Sequence, residues 1–214
     1  MRRRKAGASP DRALRALVAE GFLSRLSFGI IGFTVPLYAY RLGLSLAQIG
    51  LLASLNTVVA LALKPIMGAV ADRVGRKRSV LVAMTLRSGL SLLYALVALR
   101  WQLYGVRGIH GIADAVRDPA IKVLIAEHGG KKAIAQSFAW YQTARTVAGS
   151  VGKGAAGILV TVTAANYGLI FLVAAALSLL PVGVVALWVR EPVRPAPEPE
   201  PEPPSLSPSL SLSP

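Results

Sequence analysis

Gly68-Ala69-Val70-Ala71-Asp72-Arg73-Val74-Gly75-Arg76-Lys77-Arg78 joins two long apolar runs, and within it the chain turns from small apolar residues to a dense block of cations. Gly75 permits a tight reversal at positive φ. Arg73, Arg76, Lys77 and Arg78 suit an aqueous face beside anionic lipid headgroups. Gly68 allows another helix to approach the backbone closely. The stretch therefore reads as a short connection between two membrane spans.

Outward from it, apolar runs recur in both directions at about 20 residues, the number that crosses a hydrocarbon core roughly 30 Å thick. They predict helices near 14–40, 46–70, 79–99, 101–126, 134–163 and 166–189. Ser45-Leu46-Ala47-Gln48 has the spacing of a capping box at the start of the second. Hydrophobic residues make up 54% of the 214 residues, and a mean hydropathy of +0.55 exceeds what a soluble core requires, so the surplus faces lipid. The fold class that follows is an all-α integral membrane bundle of six transmembrane helices.

Charge gives the orientation. Arg2, Arg3, Arg4, Lys5, Arg12 and Arg15 precede the first helix, Arg73, Arg76, Lys77 and Arg78 follow the second, Lys122, Lys131 and Lys132 follow the fourth, and Arg190 and Arg194 follow the sixth. The opposite loops hold Arg41 and Arg100. Fifteen cations against two place both termini in the cytoplasm of a cell with an inner or plasma membrane, and this parity requires an even number of spans. Topology thus accounts for most of the net charge of +14. Nucleic acid is not expected as a partner, because its binding domains carry Lys and Arg on one solvated face rather than between apolar runs. Residues 1–13 form a basic cytoplasmic N-terminus. Glu20 and Arg25 within the first apolar run, with no small-residue cleavage site, favour a retained helix over a signal peptide.

From residue 191 to 214 the composition shifts to Glu, Pro and Ser, with nine of the fourteen prolines. Such a segment cannot bury enough apolar surface to offset its ordering entropy and is expected to be a disordered cytoplasmic tail. There is no Cys, and His110 and His128 are isolated, so neither a thiol site nor a metal site is expected and no cofactor is implied. Without a nucleophile–base pair or a phosphate loop, the chain is not expected to be an enzyme.

The Gly68–Arg78 stretch resembles the signature loop of the major facilitator superfamily (MFS): a Gly, three residues, Asp-Arg, one residue, then Gly-Arg-Lys. A second resemblance lies in Arg107-Gly108-Ile109-His110-Gly111-Ile112-Ala113, similar to the family's Arg-x-x-Gln-Gly-x-x-Ala with His110 in place of Gln. A third is Gly149-Ser150-Val151-Gly152-Lys153-Gly154-Ala155-Ala156-Gly157, which resembles a glycine-rich antiporter motif with Lys153 where its Pro stands. Small residues that let helices pack closely explain the same pattern. The resemblance implies one half of a twelve-helix secondary transporter of small solutes, working by alternating access. In that family the signature loop is a gate, so Gly68, Asp72, Arg73, Gly75, Arg76 and Lys77 are its candidates here, with the Asp72 carboxylate suited to meet a helix N-terminus.

Ionisable groups at mid-bilayer cost about 2.5–3.5 kcal/mol even on an insertion scale, so they face a cavity or one another. In the family the first and fourth helices line the cavity, the second and fifth help to gate it, and the third and sixth pack outside. On that map Glu20, Arg25, Arg107, Asp114 and Arg117 are candidates for the substrate cavity or for proton coupling, together with Arg145 and Lys153, which share one face of the fifth helix. A structural ion-pair set explains Glu20, Arg25, Arg107 and Asp114 equally well. Arg87 is expected to be structural on a peripheral helix, and Lys64 to snorkel toward the cytoplasm with help from a break at Pro65. The excess of cations suggests an anionic substrate, carried with protons if Glu20 or Asp114 titrates. Arg25 and Arg107 each begin an Arg-x-x-x-Gly-Ile, as an inverted three-plus-three repeat would leave.

A six-helix half has one wall of a cavity. The partners implied are the lipid bilayer, a small-molecule substrate and a second half, supplied by a homodimer or a separate chain. A truncated or frameshifted inactive fragment, and a membrane assembly subunit that transports nothing, are the alternatives.

Overall fold

The structure is a computed structural model that describes residues 10–129 and 134–189. The basic residues 1–9, Lys131 and Lys132, and the tail expected over 191–214 lie outside the described residues. Six helices follow one another: α1 (Pro10–Arg41), α2 (Leu46–Val74), α3 (Arg76–Leu96), α4 (Arg100–His128), α5 (Ile134–Val162) and α6 (Tyr167–Trp188). Among the described residues there is no strand. Four of the helices, α1, α2, α3 and α6, are long and apolar enough to cross a membrane by length and composition. α4 and α5 have the length, at 29 residues each, but spend part of it on the charges described below.

The helix limits differ from the expected ones where local chemistry decides them. α2 continues through Asp72 to Val74, and α3 begins at Arg76, so the signature stretch is almost entirely helical. Gly75 makes the reversal alone at φ 110° and ψ 132°, its N–H returning to the Ala71 carbonyl. This backbone region is open to glycine and little else. At the other end α3 stops at Leu96, because Ala98 and Leu99 donate their N–H groups to the Gln102 side chain and start α4 instead. Gly43 turns at φ 81° before the capping box at Ser45 and Gln48, which forms as its spacing implies. α2 runs unbroken past Pro65.

The packing has an internal symmetry. α1 lies against α5 and α6, α4 lies against α2 and α3, and α3 meets α6. Exchanging the first three helices with the last three leaves this pattern unchanged. The two tightest seams are built from glycine. A Cβ on Gly152 would stand 2.4 Å from the Leu26 carbonyl oxygen, so α1 and α5 touch through their backbones. A Cβ on Gly111 would stand 2.6 Å from the Asn56 carbonyl oxygen, which does the same for α4 and α2. Without a hydrophobic force between helices in lipid, such close approach is what holds them.

Two apolar clusters occupy the two ends of the bundle. One gathers Ile31, Val35, Tyr94, Leu103 and Phe171, the other Leu17, Met84, Ile121, Leu124 and Val185. Leu51, Val58, Leu61, Val82, Leu179 and Leu187 remain exposed on the outside, as a lipid-facing surface requires. Between the clusters α1, α3 and α4 carry their polar residues at one level, and there the site lies.

Candidate functional site

One concave face holds a cavity of about 250 Å3 lined by Ser24, Arg25, Phe28, Asn56, Lys64, Arg87, Asp114, Asp118 and Arg145. It runs into a second concavity of about 520 Å3, which shares Arg25, Phe28, Asp118 and Arg145 and adds Lys122 and Lys153. Six cations thus face two carboxylates. Lys64 Nζ lies 3.2 Å from Asp118 Oδ2, and Arg87 Nη1 lies 3.3 Å from Asp114 Oδ1. The Asn56 amide also donates to Asp114 Oδ2 at 3.1 Å. Among the described residues Arg25, Lys122, Arg145 and Lys153 have no carboxylate within 4.0 Å.

Phe28 is the centre of the charge. The guanidinium carbons of Arg25, Arg87 and Arg107 lie 5.0, 5.2 and 5.8 Å from its ring centroid, and the His110 ring meets its edge at 5.4 Å. A desolvated cation–π contact is worth about 2 kcal/mol. Two unit charges roughly 8 Å apart at an effective dielectric of 20 repel by about 2 kcal/mol. The ring therefore offsets one cation's repulsion by another and leaves the desolvation of three guanidinium groups to be met by anions. Asp114 is the carboxylate that lines this cavity nearest to them, and it is engaged by Arg87 and Asn56.

Arg87 and Lys64 correct the expectations placed on them. Arg87 lines the cavity instead of packing at the periphery, and it reaches α1 and α4 by donating to Ser24 Oγ and to His110 Nε2 at 3.4 and 3.3 Å. A charge within the apolar run of α3 is too costly to face lipid, and that cost outranks the position of the helix. Lys64 pairs with Asp118 across the α2–α4 seam instead of snorkelling.

Glu20 and Arg117 line neither concavity. Both are buried, at 0% and 1% side-chain exposure, and they pair with each other, with Arg117 also donating to the Tyr141 hydroxyl at 3.2 Å. They join α1, α4 and α5. Arg107 is 6% exposed and sits behind Phe28 rather than on the open wall. Phe28 and Asn56 line the cavity and were not singled out from the sequence. For Asn56 the available signal was a lone amide in an apolar run, with the same cost in lipid as any unpaired polar group.

The signature stretch lies at one end of the bundle, at the end of α2 and the start of α3. Arg76 donates to Asp72 Oδ1 at 3.3 Å and pairs with Glu127 near the end of α4. Lys77 Nζ donates to the Ala186 carbonyl at 3.0 Å, a cation at the negative end of α6. Arg73 is exposed. A Cβ on Gly68 would find Pro119 Cβ at 3.9 Å, ordinary contact, so no described helix needs a glycine there. In the glycine-rich stretch, Gly152 is demanded by α1, whereas Cβ atoms on Gly154 and Gly157 would meet nothing within 4 Å.

The model described as Major Facilitator Superfamily matches residues 19–213. Proteins named multidrug resistance protein MdtG from Escherichia fergusonii and Enterobacter lignolyticus are similar at 26% and 27% identity, over 78% of this chain and 42% and 40% of their own lengths. A bacterial homolog to human lysosomal transporter Spinster, solved inward-facing and unoccupied, has the same fold at a TM-score of 0.75 and 20% identity, over 91% of this chain and 46% of that one. The chain spans less than half the length of these relatives.

Proposed function

Since the chain belongs to the Major Facilitator Superfamily, we propose that it forms one six-helix wall of a membrane carrier that moves a small solute bearing an anionic group. The observation that carries this reading is the set of cations on the concave face, Arg25, Lys122, Arg145 and Lys153, that have no carboxylate partner among the described residues. Arg25 and Arg145 are half-buried there, a charge without a counterion inside the membrane is costly, and an anionic solute entering the cavity removes that cost. The relatives' name, multidrug resistance, is compatible with a carrier of varied solutes.

A second six-helix segment, in the same polypeptide or another, closes the cavity, and rocking of one wall against the other moves the solute. The Gly68–Lys77 stretch gates the basic end, where the exposed Asp72 and Arg73 meet that second wall. The start of α1 and the end of α6 lie on the cytoplasmic side by the distribution of Lys and Arg. Asp114 is the better placed proton carrier of the two candidate carboxylates, because it lines the cavity. Its protonation frees Arg87 for the solute.

The test is counterflow in proteoliposomes holding the protein in its native oligomeric state, with matched anionic, neutral and cationic solutes. Saturable uptake of anions is expected, with KM raised about tenfold by Arg25→Gln or Arg145→Gln, the effect of losing one charge-assisted hydrogen bond. Uptake confined to neutral or cationic solutes overturns the anionic reading. Absence of any uptake by correctly inserted protein overturns the carrier and favours a non-transporting membrane subunit.

A further inference from the structure

One side of the larger concavity is α5, which faces it with Gln142, Arg145, Thr146, Gly149, Ser150 and Lys153. These positions share one face of a helix. Arg25 of α1 enters the same wall at the level of Gly149, where a Cβ would stand 3.4 Å from Arg25 Nε and 3.5 Å from its Cγ. Gly149 lies four residues from Arg145 and four from Lys153, so helical rise sets each about 6 Å from it along the axis. Arg145, Arg25 and Lys153 are therefore a ladder of cations over about 12 Å of wall. Of the charges around Arg25, that of Arg145 acts on it most strongly, ahead of Arg87, Asp114 and Asp118. Arg25 and Arg145 thus make one positive site, and Lys153 a second one beyond it.

The wall offers little to balance them. Asp118 lines the concavity but is held by Lys64 at 3.2 Å and by Arg117 at 3.5 Å, neither of which lines it. Lys122 adds a fourth cation to the lining. A solute with one negative charge compensates one site and leaves the other repelling it across a poorly solvated gap. An apolar solute finds still less, because Phe28 is the one apolar side chain lining this concavity among the described residues, and the Arg25, Arg87 and Arg107 guanidinium groups already lie against its ring.

We propose that the solute is hydrophilic and carries two anionic groups, one bound between Arg25 and Arg145 and the other at Lys153, with Gln142 and Ser150 as uncharged donors. This rests on the anionic carrier proposed above and names its substrate class, an elongated organic dianion. Its charges stand about 6–12 Å apart, one to two helical turns.

Titration of the full chain in lipid nanodiscs, with competition in the counterflow assay, tests this. The probes are sodium adipate and suberate, their monomethyl esters as monoanions of the same length, and malonate as a dianion too short to reach both sites. Adipate and suberate are expected to bind about tenfold more tightly than their esters and than malonate, the effect of one further charge-assisted contact. Malonate carries the same charge, so a general electrostatic preference would favour it equally. The Lys153 side chain is exposed, and Lys153→Gln is expected to lower adipate affinity about tenfold while leaving the monomethyl ester unchanged. Arg145→Gln is expected to weaken both alike. Equal affinity for adipate and its ester, equal affinity for adipate and malonate, or a Lys153→Gln variant that keeps the preference overturns the two-group solute and leaves the anionic carrier standing. Dianion binding in nanodiscs without counterflow supports the site and overturns the carrier alone. Uptake confined to neutral or cationic solutes, with no anion bound, overturns both.

Discussion

Arg87 Nη1 stands 3.3 Å from Asp114 Oδ1, with the two side chains 12% and 16% exposed, and so links α3 to α4 at the level where α1 presents Phe28. The pair is poised between structure and function. It is buried enough to matter for stability, yet both members line the cavity.

Removing one member leaves an uncompensated charge in a poorly solvated site, at about 3 kcal/mol. Arg87→Gln leaves Asp114 with Asn56, whereas Asp114→Asn leaves Arg87 among Arg25 and Arg107. Asp114→Asn is therefore expected to be the more destabilising, and Arg87→Gln with Asp114→Asn less so than the sum of the two. Melting temperatures of the purified variants give the comparison, and additive losses would show that the pair is not coupled.

Glu20 and Arg117 offer a contrast, being paired and fully buried outside the cavity. Glu20→Gln is expected to cost about 3–5 kcal/mol and to lower the yield of folded protein, while Glu20→Gln combined with Arg117→Met recovers most of it. Folded yield and melting temperature decide. A Glu20→Gln variant of normal stability that lost proton dependence of transport would instead make Glu20 a proton carrier.

At Gly152 and Gly111 an added Cβ meets backbone oxygen at 2.4 and 2.6 Å. Gly152→Val and Gly111→Val are expected to pry α5 from α1 and α4 from α2, at about 1–3 kcal/mol or more each. Gly154→Val, where a Cβ meets nothing within 4 Å, is expected to be neutral. Recovery of monodisperse protein on size-exclusion chromatography distinguishes them.

Gly75 and Gly68 are separable in the same way. Gly75→Ala forces a side chain into φ 110° and is expected to cost about 1–3 kcal/mol. Gly68→Ala is expected to leave the stability of this bundle unchanged and to reduce transport, since its neighbour would come from the second wall. Loss of melting temperature in Gly68→Ala would place its constraint within the six helices.

Six helices and the place of the signature stretch were legible in the sequence, because apolar run length and cation placement are local quantities read against a bilayer of fixed thickness. The sequence also pointed to Arg25, Asp114 and Arg145 as residues too costly for lipid, and they line one cavity. It did not determine which charge meets which. Glu20 and Arg117 are 97 residues apart, and Arg87 reaches Ser24, His110 and Asp114 on two other helices. Those pairings depend on helix rotation and order of packing, set by close contacts such as Gly152 with Leu26 and Gly111 with Asn56. Tertiary structure alone therefore separated the buried strut of Glu20 and Arg117 from the cavity wall, brought Arg87 into that wall, and buried Arg107 behind Phe28.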